Sequence, residues 1–279
     1  MKAVLIPTDF SENSWNAIKY GVNLLKKTYC TFHIIHVSPI ISTISGETAL
    51  VIPPELIEEN LLKESNEKLK KLLTRIDHLP INEKHVFKTS AHYGFFIDHI
   101  KNAVKSKKIE LIIMGTKGAT GLKKVTIGSN TGNIITKVKC AVLAVPENVA
   151  FKKPKKIGFP TDFLVEYSLR QLLIIKELSL ITTAKLHFLY VENKNGDQSP
   201  DQLKNKDFLN DYFQDTIANF HTINGKNLDT AIESFIAAEK IDMLVMIAKN
   251  LNFLERILFR PTVEEISYHT KIPFLVLHE

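Results

Sequence analysis

Short apolar runs and amphipathic stretches alternate along the first half of the chain. Residues 3–6, 31–37, 109–114 and 141–145 are compact runs dominated by apolar and β-branched side chains, stopped by Pro7, Ser38, Gly115 and Pro146. Each is too short for a helix, so each reads as a buried strand. Residues 84–90 supply a fifth strand. Between these runs the period changes. Trp15, Ile18, Val22 and Leu25 recur at helical spacing behind Ser11, a good N-cap. After Pro53 and Pro54, the residues Ile57, Leu61, Leu62, Leu69, Leu72, Leu73 and Ile76 make one stripe of a long amphipathic helix. Residues 95–104 and 130–137 read as further helices, and residues 40–54 are polar without a pattern. Alternation of strand and helix predicts an α/β fold with a parallel sheet covered on both faces.

The pattern then starts again. The polar, basic stretch ENVAFKKPKK ends the first cycle, and beyond it Ile157-Gly-Phe-Pro-Thr-Asp-Phe163 echoes Val4-Leu-Ile-Pro-Thr-Asp-Phe10. Ala184-Lys-Leu-His-Phe-Leu-Tyr-Val191 echoes Cys30-Thr-Phe-His-Ile-Ile-His-Val37. Ser199 and Gln202 form a capping box with Pro200 at the first helical position. From Met243 to Leu277 the halves align without a gap, shifted by 132 from Leu111 onward. The chain therefore reads as two copies of one domain, residues 1–147 and 157–279, joined by a linker over 148–156.

Composition narrows the class. Lysine and arginine exceed aspartate and glutamate, 36 against 30. The excess could attract nucleic acid or phosphate ligands, but the lysines are spread over helices and linker rather than gathered in a block with aromatics, which favours solvated faces and no nucleic-acid partner. Cys30 and Cys140 are the only cysteines and each abuts an apolar strand. Buried thiols in a reducing compartment are the expectation, not a disulfide framework. The first strand reaches a turn too early for a signal peptide, and no run approaches the ~20 apolar residues of a membrane span. A cytoplasmic protein without membrane attachment is expected.

The candidate chemistry lies in residues 111–146, LIIMGTKGATGLKKVTIGSNTGNIITKVKCAVLAVP. A strand here breaks into glycines and small hydroxyl residues before a helix begins. Glycines let backbone N–H groups turn toward an anion, and a helix N-terminus adds its own unsatisfied donors. Lys117, Lys123 and Lys124 bring positive charge beside them. No Gly-Lys-Ser/Thr follows, so this is not a P-loop, and no G-x-G-x-x-G is present. What stands instead is Gly115-x2-Gly118-x9-Gly128-Ser129.

With strands on both sides, that spacing resembles the ATP-binding type of universal stress protein domain. The resemblance implies a Rossmann-like adenine-nucleotide fold: two doubly wound, five-stranded parallel sheets, each of order 3-2-1-4-5. It implies ATP, with or without Mg²⁺, at the carboxyl ends of the first and fourth strands, where Pro7, Thr8, Asp9, Met114 and Gly115 lie. Asp9 would face the adenosine end and Val37 the adenine. Gly115, Gly118, Gly128, Ser129 and Asn130 would surround ribose and phosphates, beside Lys117. Family members commonly pair through the last strand, so an intrachain pseudo-dimer is implied, with further dimerisation left open.

The second copy departs from the motif. Ile247, Asn250, Arg260 and Pro261 stand where Gly115, Gly118, Gly128 and Ser129 stand in the first. A β-branched side chain, an arginine and a proline remove backbone access or an N–H donor. Lys249, Arg256 and Arg260 retain charge there and could hold some anion through their side chains, but not by the same backbone cradle, so the second domain is expected to be silent for ATP. Asp162 persists beside this broken loop, so an aspartate at that place also serves as a turn or capping residue. His33 and His36 lie three apart on a strand and project to opposite faces, while His187 repeats His33. His85 and His92 have no partners at ligand spacing. No nucleophile elbow is present, and the Ser-Gly-Gly-x-Asp-Ser loop of related adenylating enzymes is replaced by Pro-Thr-Asp-Phe-Ser-Glu. The expectation is a non-enzymatic, nucleotide-dependent stress-response regulator acting through an unidentified protein partner, with weak ATP hydrolysis left open. The alternative is a scaffold or interaction module that needs no nucleotide.

Overall fold

A computed structural model describes residues 2–40, 53–116, 129–164, 167–192, 198–224, 228–248 and 272–278. The first half runs β1 (Ala3–Pro7), α1 (Glu12–Leu24), β2 (Cys30–Ser38), α2 (Pro54–Asp77), β3 (His85–Tyr93), α3 (Phe96–Ser106), β4 (Leu111–Gly115), α4 (Ser129–Lys137) and β5 (Ala141–Val145). The second runs β6 (Lys156–Pro160), α5 (Leu169–Thr182), β7 (Lys185–Glu192), α6 (Pro200–Tyr212), β8 (Ala218–Asn224), α7 (Leu228–Glu239), β9 (Met243–Ile247) and β10 (Phe274–Leu277). Among the described residues no helix is long and apolar enough to cross a membrane.

The strands form one sheet of ten, ordered β3-β2-β1-β4-β5-β10-β9-β6-β7-β8. Each half keeps the order 3-2-1-4-5, but the two separate five-stranded sheets expected from the sequence are merged. The join is antiparallel: Val142, Leu143 and Ala144 face Val276, Leu275 and Phe274, whereas the pairings within each half are parallel. The physical reason is the edge. β5 is buried along its whole length and apolar throughout, so left bare it would expose both a row of N–H and C=O groups and an adhesive apolar strand.

Alternate residues feed two core layers, one on each face. Val4 and Ile6 join Trp15 and Ile18 of α1 and Leu69 of α2, and the same layer continues into the second half through Leu172 of α5 and Leu209 of α6. Leu5 points the other way, toward Ile100 of α3 and Ile134 of α4, and that layer continues to Ile232 and Phe235 of α7. The segment between the halves is packed too. Asn16 Nδ2 donates to the Val149 carbonyl at 2.9 Å, and Phe151 meets Tyr20 edge-on at 5.1 Å.

The repeat extends to backbone detail. Lys108 and Lys240, 132 apart, both adopt left-handed conformations, φ 51° and 54°. The Thr116 N–H donates to the Val145 carbonyl at 3.0 Å and the Ala248 N–H to that of Leu277 at 2.8 Å, again 132 apart.

Candidate functional site

β1 and β4 are neighbours, with Val4 opposite Leu111 and Leu5 opposite Ile112. Strand order reverses here, because β1 leads through α1 to β2 on one side while β4 and β5 extend on the other. A crevice at the carboxyl ends of such strands is where open α/β sheets hold ligands. Pro7 ends β1 and Gly115 ends β4.

Past Pro7 the chain turns tightly into α1. The Thr8 N–H donates to the Ile35 carbonyl at 2.9 Å, which keeps the chain beside β2 for one more residue. The Thr8 hydroxyl is buried, accepts from the Phe10 N–H at 3.0 Å, and lies 3.0 Å from the Ser14 hydroxyl. Phe10 consequently sits at φ 63°, an uncommon conformation for an aromatic residue. Its ring meets His36 at 4.5 Å, and His36 Nδ1 lies 2.7 Å from the Thr8 carbonyl. Burial holds the His36 pKa below its ordinary value, partly countered by that contact. Asp9 Oδ1 accepts from the Ser11 N–H at 3.0 Å and from its hydroxyl at 2.5 Å. Ser11 caps α1 by accepting from the Ser14 N–H at 3.2 Å. Asp9 is therefore part of the helix start. Val37 is half-buried at the end of β2 and packs against the layer containing Leu5 and Ile35.

On the β4 side, Met114 is buried. Gly115 has an immediate neighbour that the sequence did not reveal. A Cβ at Gly115 would lie 2.4 Å from Asn13 Nδ2 and 2.6 Å from its Cγ. The missing side chain lets the second residue of α1 close over the end of β4. Thr131 Oγ1 donates to the Gly115 carbonyl at 2.7 Å, which brings the start of α4 to the same strand end. Asn130 is exposed there. Pro7, Thr8, Asp9, Met114, Gly115 and the first turn of α4 are thus gathered at one end of the sheet. Lys117, Gly118 and Gly128 lie outside the described residues, and of Ser129 only the backbone is described.

The second half copies the turn and closes it differently. Phe163 repeats Phe10 at φ 57°, and the Phe163 N–H donates to Thr161 Oγ1 at 3.0 Å. Asp162 Oδ1 accepts from the Leu164 N–H at 2.9 Å. Here α6 reaches over: Gln202 Nε2 donates to the Asp162 carbonyl and Asn205 Nδ2 to that of Phe163, both at 2.7 Å. Ile247 stands at the end of β9 in place of Gly115. Arg170, second residue after the N-cap Ser168, is exposed in place of Asn13. The glycine and the asparagine have changed together. Lys249, Asn250, Arg256, Arg260 and Pro261 lie outside the described residues.

Open, doubly wound α/β sheets place their ligands, where they bind one, at such a switch point. The chain belongs to the universal stress protein family, whose model matches residues 1–146. It is 32% identical over 158 residues to universal stress protein MJ0531 of Methanocaldococcus jannaschii, a match covering 56% of this chain and 84% of that one. It is 27% identical over 143 residues to universal stress protein YxiE of Bacillus subtilis, covering 51% and 97%. Over its whole length it is similar in fold to a universal stress protein from Archaeoglobus fulgidus. That crystal structure is matched at TM-score 0.71 and 19% identity, over 99% of this chain and 96% of the other. The chain is a tandem member, with the α/β unit present twice.

Proposed function

We propose that the chain binds one ATP, with or without Mg²⁺, in the crevice of its first domain, and that occupancy regulates a cytoplasmic stress response through a protein partner. The domains would be residues 1–147 and 157–279, with 148–156 between them. The observation that carries this reading is the contrast between two copies of one fold. Gly115-x2-Gly118-x9-Gly128-Ser129 follows a strand whose end is tied to the start of α4, whereas the second copy replaces all four residues and closes its turn with Gln202 and Asn205. The pairing of β5 with β10 supports reading the chain as an intrachain pseudo-dimer. No residue is assigned a catalytic role.

A second reading has its own support. Asn13 fills the space above Gly115, and Asp9 serves the cap of α1, so both residues have structural work without a ligand. A scaffold that needs no nucleotide would keep them as well. Calorimetric titration of the full chain with ATP separates the two. Binding near one ATP per chain is expected. Gly128→Arg, which copies Arg260 into the first domain, should abolish it with the fold intact. Lys117→Ala should weaken it by only about 1–2 kcal/mol, the worth of a charge-assisted hydrogen bond. A stoichiometry of two, or normal binding by Gly128→Arg, contradicts the backbone cradle. No binding by the unaltered chain favours the scaffold.

A further inference from the structure

At the far side of the second half, three side chains converge that lie well apart in sequence. His187 is the third residue of β7, His221 lies in the middle of β8, and Glu239 is the last residue of α7. β7 and β8 are parallel neighbours, with Leu189 opposite His221, so His187 and His221 fall on one face of the sheet. α7 covers that face, as its Phe235 shows by meeting the His221 ring at 5.3 Å. Helices here run against the strands, so the end of α7 returns to the amino-terminal end of β7. The cluster therefore lies away from the nucleotide crevice.

Its geometry suits a cation. His187 Nδ1 is 3.0 Å from His221 Nε2 and 3.6 Å from Glu239 Oε2. Glu239 Oε1 lies 3.7 Å from His221 Nδ1. Three ligand atoms, one from each side chain, fall within 4.8 Å of one another. Ligands about 2.0–2.1 Å from a tetrahedral zinc ion stand roughly 3.3 Å apart, so a bound ion would replace the His187–His221 hydrogen bond and draw the Glu239 carboxylate toward the two imidazoles. His187 Nε2 is buried and has no hydrogen-bond partner among the described residues. Nδ1, which faces the other two side chains, is the nitrogen available to a ligand. His221 and Glu239 are partly exposed, which leaves a path for an ion and an open position for water.

The first half supplies the internal control. Register equates Phe87, opposite Phe32, with Ala218, opposite Leu186, so Ser90 corresponds to His221. The shift of 132 equates Lys107 with Glu239, each preceding a left-handed lysine. His33, Ser90 and Lys107, with Lys88 and Thr89, line an open cavity of about 410 Å³. One position has kept its histidine, one has exchanged a hydroxyl for an imidazole, and one has exchanged a cation for a carboxylate. Lys107 follows α3, where a cation suits the helix dipole; Glu239 closes α7 against it. A glutamate so placed calls for a positive partner. Lys156 Nζ provides one at 3.4 Å from Oε2, and a divalent ion can displace it.

We propose that His187, His221 and Glu239 form a binding site for one divalent transition-metal ion of the zinc class. Two imidazoles and one carboxylate disfavour the hard, oxygen-seeking magnesium and calcium ions. Among the described residues no other group of three histidine, cysteine or acidic side chains converges in this way.

The test uses the full chain, free of any affinity tag and stripped with chelator. It is titrated with Zn²⁺ in competition with a chromophoric chelator, and with Co²⁺ followed by its visible spectrum. One equivalent of each should bind. His221→Ser and Glu239→Lys, which copy Ser90 and Lys107, should weaken binding by more than the roughly 10–100-fold that loss of an outer-shell partner costs. Circular dichroism checks folding, and Glu239→Gln tests the same ligand with its shape retained should Glu239→Lys not fold. Absence of one-equivalent binding by the unaltered chain overturns the proposal. So does undiminished affinity in a folded His221 or Glu239 variant.

Discussion

Replacing Gly115 by alanine tests how the end of β4 is built. The added Cβ would meet Asn13 Nδ2, Cγ and Oδ1 at 2.4, 2.6 and 2.7 Å. Ordinary carbon contacts begin at about 3.5 Å, so the Asn13 amide must withdraw by roughly 1 Å. It has little room, because Asn13 is only 6% exposed. Overpacking of this kind costs about 1–3 kcal/mol. Lower backbone entropy of the unfolded chain returns about 0.4–1 kcal/mol. A net loss of about 1–2 kcal/mol is expected for Gly115→Ala. In an Asn13→Ala background the clash disappears and the entropic gain remains, so the same substitution should be neutral or slightly stabilising. The four chains are compared by urea denaturation followed by circular dichroism, with the m-value checked for constancy. A positive coupling of at least about 0.5 kcal/mol between the sites is required. If Gly115→Ala costs the same in both backgrounds, Asn13 is not the reason for the glycine.

Two further predictions concern titrating groups. Burial lowers the pKa values of His33, His36, His85, His92 and His278 from 6.5. Between 6.5 and those lower values the unfolded chain holds more protons than the folded one, so stability rises with pH through this window and falls on acidification. Urea midpoints measured in chelator should therefore drop from pH 7.5 to pH 5.5, and a constant or rising midpoint contradicts the assignment. Cys30 and Cys140 are free and buried, with pKa values pushed up to about 12 by desolvation. Because the thiolate is the reactive form, both should react slowly with Ellman's reagent in the native chain and rapidly in guanidinium. Rapid labelling of the native chain would show that they are accessible.

Much of the molecule could be read from its residues. The strand of residues 3–6 and the α1 helix behind Ser11 follow from period and capping, which local burial imposes on any segment. The repeat was legible because Pro7-Thr8-Asp9-Phe10 and Pro160-Thr161-Asp162-Phe163 fold into the same turn, with the phenylalanine in the same left-handed conformation. Of the glycine-motif positions, Gly115 and Ile247 fall at the ends of β4 and β9, as the 132-residue shift requires.

What the tertiary structure decided is contact across the chain. The antiparallel registry of Leu143 with Leu275 merges two sheets into one, and an apolar strand looks alike in sequence whether its edge is covered or bare. Asn13 against Gly115 is a fit between a helix and a strand, and residue spacing along the chain carries no record of such a fit. His187, His221 and Glu239 show no ligand spacing because three separate elements contribute one side chain each. Periodicity reports which side of its own element a residue occupies. Only strand order and helix placement determine which residues from other elements it meets.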